Sequence, residues 1–255
     1  MSDKKELVLL FSGGTDSTCT AALMQDKYEK IHLITYDRFG FLNTKNSQNK
    51  ALELKKKFGQ NKFIHTIINI DKLFKKISYG NYFRDILRYK FFLLSTCGLC
   101  KLAMHWQTII YCLNNNVDEV CDGSNQEMEM DPSQNELILK EMRLLYKEFE
   151  INYFSPVFYD SRKKREKIIF DLQLTPVQHP KWTRFSWEMQ PFCSQEYLFM
   201  KFFVYAHTNW RGEIAMQRSK RYEEKMLEYH RGKRDFIKKE IYKYLREKTA
   251  QGLKC

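Results

Sequence analysis

The sequence predicts an α/β protein, a parallel sheet with helices on both faces, followed by a helical basic C-terminal region. Three observations carry this. Short apolar runs alternate with helix-period segments through the first 160 residues. Most of those runs are continuously apolar, as in strands buried on both faces. Beyond about residue 160 the strand signals stop and the charge changes. Residues 1–160 hold 21 basic and 20 acidic side chains, whereas 161–255 hold 22 and 11. The expected division is therefore 1–160 and 161–255.

The elements follow in order. Residues 7–11, Leu-Val-Leu-Leu-Phe, read as a buried strand ended by Ser-Gly-Gly. Residues 17–25 read as a helix and 31–36 as a second strand. A helix over 46–58 places Ala51, Leu52, Leu54 and Phe58 on one side. A third strand spans 63–70, and an aromatic-rich helix 81–94. A helix over 101–114 precedes a short strand at 117–121, and a helix over 136–149 precedes a strand at 151–158. Strands alternating with helices imply parallel pairing, with ligands beyond the C-terminal strand ends. After that come a basic helix at 161–172, an irregular stretch with Pro176, Pro180 and Pro191, and helices at 194–207 and 218–249.

Composition bounds the function classes. The chain has 255 residues, 43% apolar and 29% charged, with 10 Gly and 5 Pro, which excludes a disordered or collagen-like polymer. No apolar run approaches the ~20 residues that span a bilayer. The longest, 91–99, contains Ser95 and Thr96. No signal-peptide pattern follows Met1, so a soluble cytoplasmic protein without membrane contact is expected. Seven cysteines, an odd number, argue against a disulfide framework. The basic last third attracts polyanions, of which nucleic acid is the commonest, and Lys163, Lys164 and Arg165 are candidate contacts. The same excess also suits a solvated helix face.

The strongest local signal is Phe11-Ser12-Gly13-Gly14-Thr15-Asp16-Ser17, between a buried strand and a helix. Two glycines let the backbone turn and point N–H groups inward, and the helix N-terminus adds partial positive charge. Ser12, Thr15 and Ser17 supply hydroxyls, so the unit is a nest for phosphate oxygens. Asp16 suits a bridging Mg²⁺ better than an anion. The Gly-Lys-Ser/Thr ending of a Walker loop is absent. The segment resembles the PP-loop, Ser-Gly-Gly-x-Asp-Ser, of the ATP pyrophosphatase superfamily. The resemblance implies a HUP/Rossmann-like fold that binds ATP with Mg²⁺. A substrate oxygen there attacks the α-phosphate, giving an adenylated substrate and pyrophosphate. It also places adenine against Thr35-Tyr36-Asp37, read there mainly through main-chain groups, with Tyr36 a cofactor contact or, like Asp37, an ordinary strand-end residue.

Cys97-Gly98-Leu99-Cys100-Lys101 brings two sulfurs together, and a following helix N-terminus and Lys101 favour thiolates. A redox pair, a zinc site and an iron–sulfur site all remain open. Asp122-Gly123-Ser124-Asn125 then follows a strand, on the same sheet edge as the phosphate loop. This order of motifs resembles PP-loop sulfur-transfer enzymes, those of tRNA thiolation and of nickel-pincer cofactor assembly. The resemblance implies Cys97, Cys100 and Cys193 as ligands of a [4Fe-4S] cluster, with Zn²⁺ the alternative. It implies Asp16, Lys101 and Asp122 as catalytic residues and Gly123 and Asn125 as nucleotide contacts. The three sulfurs should then lie within about 7 Å of one another. Cys112, Cys121 and Cys255 should not join them. Pro180 stands where nickel-pincer enzymes carry a sacrificial cysteine, before Thr183-Arg184-Phe185, and Gln126-Glu127-Met128-Glu129 replaces the usual acids.

The expected activity is adenylation coupled to sulfur transfer to an RNA base. A nitrogen-transferring enzyme or a non-catalytic nucleotide-binding protein are the alternatives. Expected partners are ATP and tRNA, with a homodimer left open. Weaker candidates are His105, His179 and His207 as ligands or proton shuttles. Trp182, Phe185 and Trp187, beside Lys181 and Arg184, could stack on bases.

Overall fold

A computed structural model describes residues 5–80, 82–89, 96–128, 134–175, 192–193 and 206–251. Its elements run β1 (Glu6–Leu10), α1 (Thr15–Met24), β2 (Lys30–Asp37), β3 (Phe41–Leu42), α2 (Ser47–Phe58), β4 (Phe63–Asn69), α3 (Asp71–Tyr79) and α4 (Tyr82–Tyr89). They continue with α5 (Thr96–Asn115), β5 (Glu119–Asp122), α6 (Glu136–Lys147), β6 (Asn152–Phe154), α7 (Arg162–Asp171), β7 (Phe192–Cys193) and α8 (Ala206–Ala250).

Five strands form one parallel sheet in the order β4-β2-β1-β5-β6. The alternation of side chains along β1 explains the layers. Val8 and Leu10 face one core with α3, α5 and α6. Leu7 and Leu9 face a second core with α1, α2 and α7. Leu7, Val8 and Leu9 are all fully buried. Each such side chain contributes about 1.5–3 kcal/mol of hydrophobic stabilisation, which is why the run is continuously apolar. The strand order reverses between β1 and β5, so the ligand crevice of this sheet lies beyond their C-terminal ends.

Several boundaries differ from expectation. Helix α3 occupies 71–79, between two of the expected elements, where Leu73, Phe74 and Ile77 carry a helical period. Helix α5 begins at Thr96, so the cysteine pair lies inside its first turns rather than ahead of it. The last parallel strand ends at Phe154, because Pro156 cannot donate to a ladder and restricts the residue before it. A short antiparallel pair, β3 with β7, adds to the expected elements and sets Phe41 opposite Cys193. The expected helix at 194–207 lies almost wholly outside the described residues.

The charge break at 160 is not a break in the core. Helix α7 packs on α1, with Ile169 in the second core. From α8, Tyr229, Ile237 and Ile241 complete the first core, beside Trp106 and Phe149. Part of the basic excess is spent at this seam. Lys233 pairs with Asp85 at 2.8 Å, Lys238 with Glu148 at 2.6 Å, and Arg231 and Arg234 both grip the buried Glu141.

Candidate functional site

The site is built where β1 and β5 end. After β1 the chain turns through Gly13 at φ +75°, a conformation that favours glycine. A Cβ there would also lie 3.1 Å from Ser47 Cα. Ser12 Oγ accepts from Gly14 N at 3.2 Å and meets Ser17 Oγ at 3.1 Å, while Ser17 Oγ accepts from Ser12 N at 3.3 Å. The hydroxyls of Ser12 and Ser17 thus hold the loop's shape. Helices α6 and α7 begin on side-chain caps, Asn135 and Ser161, which accept backbone N–H groups. Helix α1 follows Gly14 with no side-chain cap, as α2 and α3 also begin without one. Its first-turn amides, at Thr15, Asp16 and Ser17, therefore remain donors for an anion.

The turn after β5 closes on that loop. A Cβ on Gly123 would lie 2.7 Å from Ser17 N and 2.8 Å from Asp16 C, so only glycine fits this approach. Beside it Asn125 is buried. Its Nδ2 donates to Asp16 Oδ2 at 3.0 Å, and its Oδ1 is a buried acceptor with no hydrogen-bond partner among the described residues. The other oxygen of Asp16 accepts from Arg165 Nε at 2.6 Å. Both oxygens of Asp16 are thus engaged by protein donors. Burial pushes its carboxyl above the ordinary value, and Arg165 opposes that shift.

Asp122 is fully buried at the end of β5. Its two oxygens accept from Lys101 Nζ at 2.7 Å, Ser124 N at 3.1 Å, Ser124 Oγ at 2.7 Å, Tyr153 OH at 2.8 Å and Ser155 Oγ at 2.7 Å. Burial alone would raise its carboxyl. Lys101 and these hydrogen bonds outweigh that and hold it well below the usual carboxylate range. Asp122 is therefore a fixed anion that orients Lys101, whose side chain stays 21% exposed. One turn on, His105 Nδ1 meets Tyr146 OH at 2.9 Å, and burial lowers the imidazole to about 3. A neutral, fully buried ring of this kind shuttles no proton to a substrate.

The cysteines divide. Cys100 and Cys193 converge on one buried guanidinium, with Arg38 Nε donating to Cys100 Sγ at 3.0 Å and Arg38 Nη2 to Cys193 Sγ at 3.2 Å. Nη1 donates to the Phe39 carbonyl at 2.8 Å, and the guanidinium lies over the rings of Phe74 and Phe41. The β3–β7 pair brings Cys193 to this edge. The Cys97 side chain and Cys255 lie outside the described residues. Cys19, Cys112 and Cys121 are core residues, and burial raises their thiols, to about 12 for Cys19 and Cys112. Among the described residues no group of three Cys, His, Asp or Glu is placed to hold a metal ion.

Two sequence readings need correction. Tyr36 is not a side-chain contact on the ligand edge. It points into the first core, 5% exposed, with its hydroxyl on Thr108 Oγ1 at 2.6 Å. Arg165 is no surface cation, since it is 2% exposed and turned inward, while Lys163 and Lys164 on the same helix are exposed. His179, Trp182, Phe185 and Trp187, with Lys181 and Arg184, lie outside the described residues, as does the His207 side chain. Arg38 and Arg165 carried no local signal. Each reaches partners about 150 positions away, Cys193 and Asp16 respectively.

No family profile matches the sequence, and no curated protein matches it. Solved structures do resemble it. One is the U34-tRNA thiolase NcsA from Methanococcus maripaludis with its [4Fe-4S] cluster. It is 14% identical, with 87% of this chain and 72% of that one covered and a TM-score of 0.46. Another is NMN synthetase from Francisella tularensis, at 12% identity, with 89% and 87% covered and a TM-score of 0.48. A third, described as a predicted subunit of tRNA methyltransferase from Methanocaldococcus jannaschii, is 20% identical, with 64% and 73% covered and a TM-score of 0.42.

Proposed function

We propose that this chain is an ATP-dependent adenylating enzyme that releases AMP and pyrophosphate, of the PP-loop kind that its loop resembles. One observation carries the reading. An uncapped helix N-terminus follows Ser12-Gly13-Gly14-Thr15-Asp16-Ser17 at the point where the strand order reverses, under a turn that only Gly123 can make. Backbone amides of residues 15–17 and the Thr15 hydroxyl would hold the pyrophosphate end of Mg²⁺·ATP. Lys101, aimed by Asp122, would offset charge developing on the α-phosphate. Asn125 Oδ1 supplies an acceptor for a nucleotide or substrate hydroxyl or amine.

The leading acceptor is a carbonyl of an RNA base. Its oxygen attacks the α-phosphorus and pyrophosphate leaves. A sulfur nucleophile then attacks the activated carbon, and AMP departs with the oxygen. Cys100 and Cys193 are brought to one place, at the Arg38 guanidinium, which would have to withdraw for a soft metal or a cluster to be held there. With Cys97 they would hold a [4Fe-4S] cluster, which would supply an open iron for sulfide. The test is anaerobic incubation with Mg²⁺·ATP and unfractionated tRNA, together with analysis of iron, sulfide and zinc. AMP with pyrophosphate, in protein carrying iron and labile sulfide, is the expected result. ADP and inorganic phosphate would overturn the adenylation, and zinc without sulfide would redirect it to nitrogen transfer.

A further inference from the structure

Asp16 is the residue of the phosphate loop whose charge opposes its ligand. Its carboxylate sits in the first turn of α1, beside the amides proposed to bind phosphate. An uncompensated negative charge a few ångströms from ATP phosphates would weaken binding by about tenfold or more at the effective dielectric of a protein surface. The fold supplies a compensating charge from a distant element. Arg165 of α7 is 2% exposed and donates through Nε to Asp16 Oδ1 at 2.6 Å. Its Nη2 donates to Glu127 at 3.0 Å and its Nη1 to the Asp160 carbonyl. All three guanidinium nitrogens are thus engaged by acceptors of the protein itself.

We infer that Arg165 is a positioning residue of the ATP site. It neutralises Asp16 and, with Asn125, holds that carboxylate as the bracket joining α1, the post-β5 turn and α7. Asp16 is then an anchor within the protein and not a ligand of Mg²⁺, which is left to the phosphates and water. Two independent observations support this. Both carboxylate oxygens already accept from buried donors. The backbone of Asp16 is also pinned from the other side, where Gly123 leaves no room for a Cβ. The basic region thereby takes part in the ATP site through one inward arginine, whatever its outward lysines bind. The inference rests on ATP being the ligand of this loop.

The test is calorimetric ATP binding, with Mg²⁺ and with EDTA, to wild type, Asp16→Asn, Arg165→Met and the Asp16→Asn/Arg165→Met double variant, alongside a thermal melt of each. Arg165→Met should bind Mg²⁺·ATP at least about tenfold more weakly, since Asp16 is then unpaired. The double variant, which carries no charge at either position, should recover to within about threefold of wild type. A purely structural role would leave the double variant as weak as the single one, and that result overturns the inference. Loss of the Mg²⁺ enhancement in Asp16→Asn also overturns it, because Asp16 would then be a metal ligand. If Arg165→Met does not fold, the folded double variant still decides between these outcomes. Wild type that binds no ATP under either condition removes the proposed function as well, and that result is distinct from the others.

Discussion

Two aspartates at the same sheet edge are treated in opposite ways. Asp122 ends β5 with five donors on its two oxygens, and its carboxyl is held far below the ordinary range. Asp16 opens α1 with one arginine and one amide, and its carboxyl is pushed above its ordinary value. Both are drawn out of water, so the number and charge of the donors decide the sign. Asp122 is therefore framework, an anion that the fold has saturated and uses to aim Lys101. Asp16 is compensated only while α7 keeps Arg165 in place, which makes it the responsive member of the pair.

The largest effect should follow from breaking the saturated member. Asp122→Ala leaves the buried hydroxyls of Tyr153 and Ser124 and the ammonium of Lys101 without their acceptor, and should cost about 3–5 kcal/mol in urea unfolding. Asp16→Asn, where the side chain is 35% exposed, should cost less than half as much. Equal losses would erase the distinction between the two sites. Next in size is Gly123→Ala. The added methyl meets backbone 2.7 Å away, so the turn must lift from α1, costing about 1–3 kcal/mol and weakening ATP binding. Unchanged stability and affinity would mean that the post-β5 turn does not close the site.

A smaller effect concerns pH. Burial lowers His105 to about 3 and His230 to about 4. The unfolded chain protonates these rings near pH 6.5, well before the folded one does, so stability falls as pH drops below that value. Each should contribute a loss of about 1 kcal/mol per pH unit between about 6.5 and 4.5. Asp122, with its depressed value, loses its contribution only below about pH 4. Urea midpoints at pH 7.5, 6.5 and 5.5 check this, and a midpoint flat across that range would contradict the neutral buried rings. The smallest change in stability, within about 0.5 kcal/mol, is expected for Lys163→Glu/Lys164→Glu on the exposed side of α7. If RNA binds there, its affinity should drop, with a salt slope shallower by about 0.7–0.9 for each phosphate that is no longer neutralised. An unchanged slope would exclude these two lysines.

The parallel sheet and the phosphate loop were legible because their signals are local. A doubly buried strand must be continuously apolar, and a sharp strand–helix turn must use glycine at a positive φ, as Gly13 does. Lys101 and Asp122 were legible as candidates by position, but not their division of labour. That depends on Tyr153 and Ser155, which arrive from β6 and the turn after it. The basic C-terminal third was legible as charge and helix. Its inward-facing members were not, because Arg165 and Lys163 look alike in a sequence and differ only in which side of α7 meets α1.

The sequence by itself determined the layers, the C-terminal strand ends as the place for a site, and the residues able to turn a backbone around phosphate. Only the tertiary structure decided which charges meet. Arg38 joins Cys100 to Cys193, and Arg165 reaches Asp16 across most of the chain. Periodicity and turn chemistry act over a few residues and leave a pattern in the chain. An ion pair in a buried seam depends on the packing of whole elements, and packing leaves no periodic trace of which arginine it will turn inward.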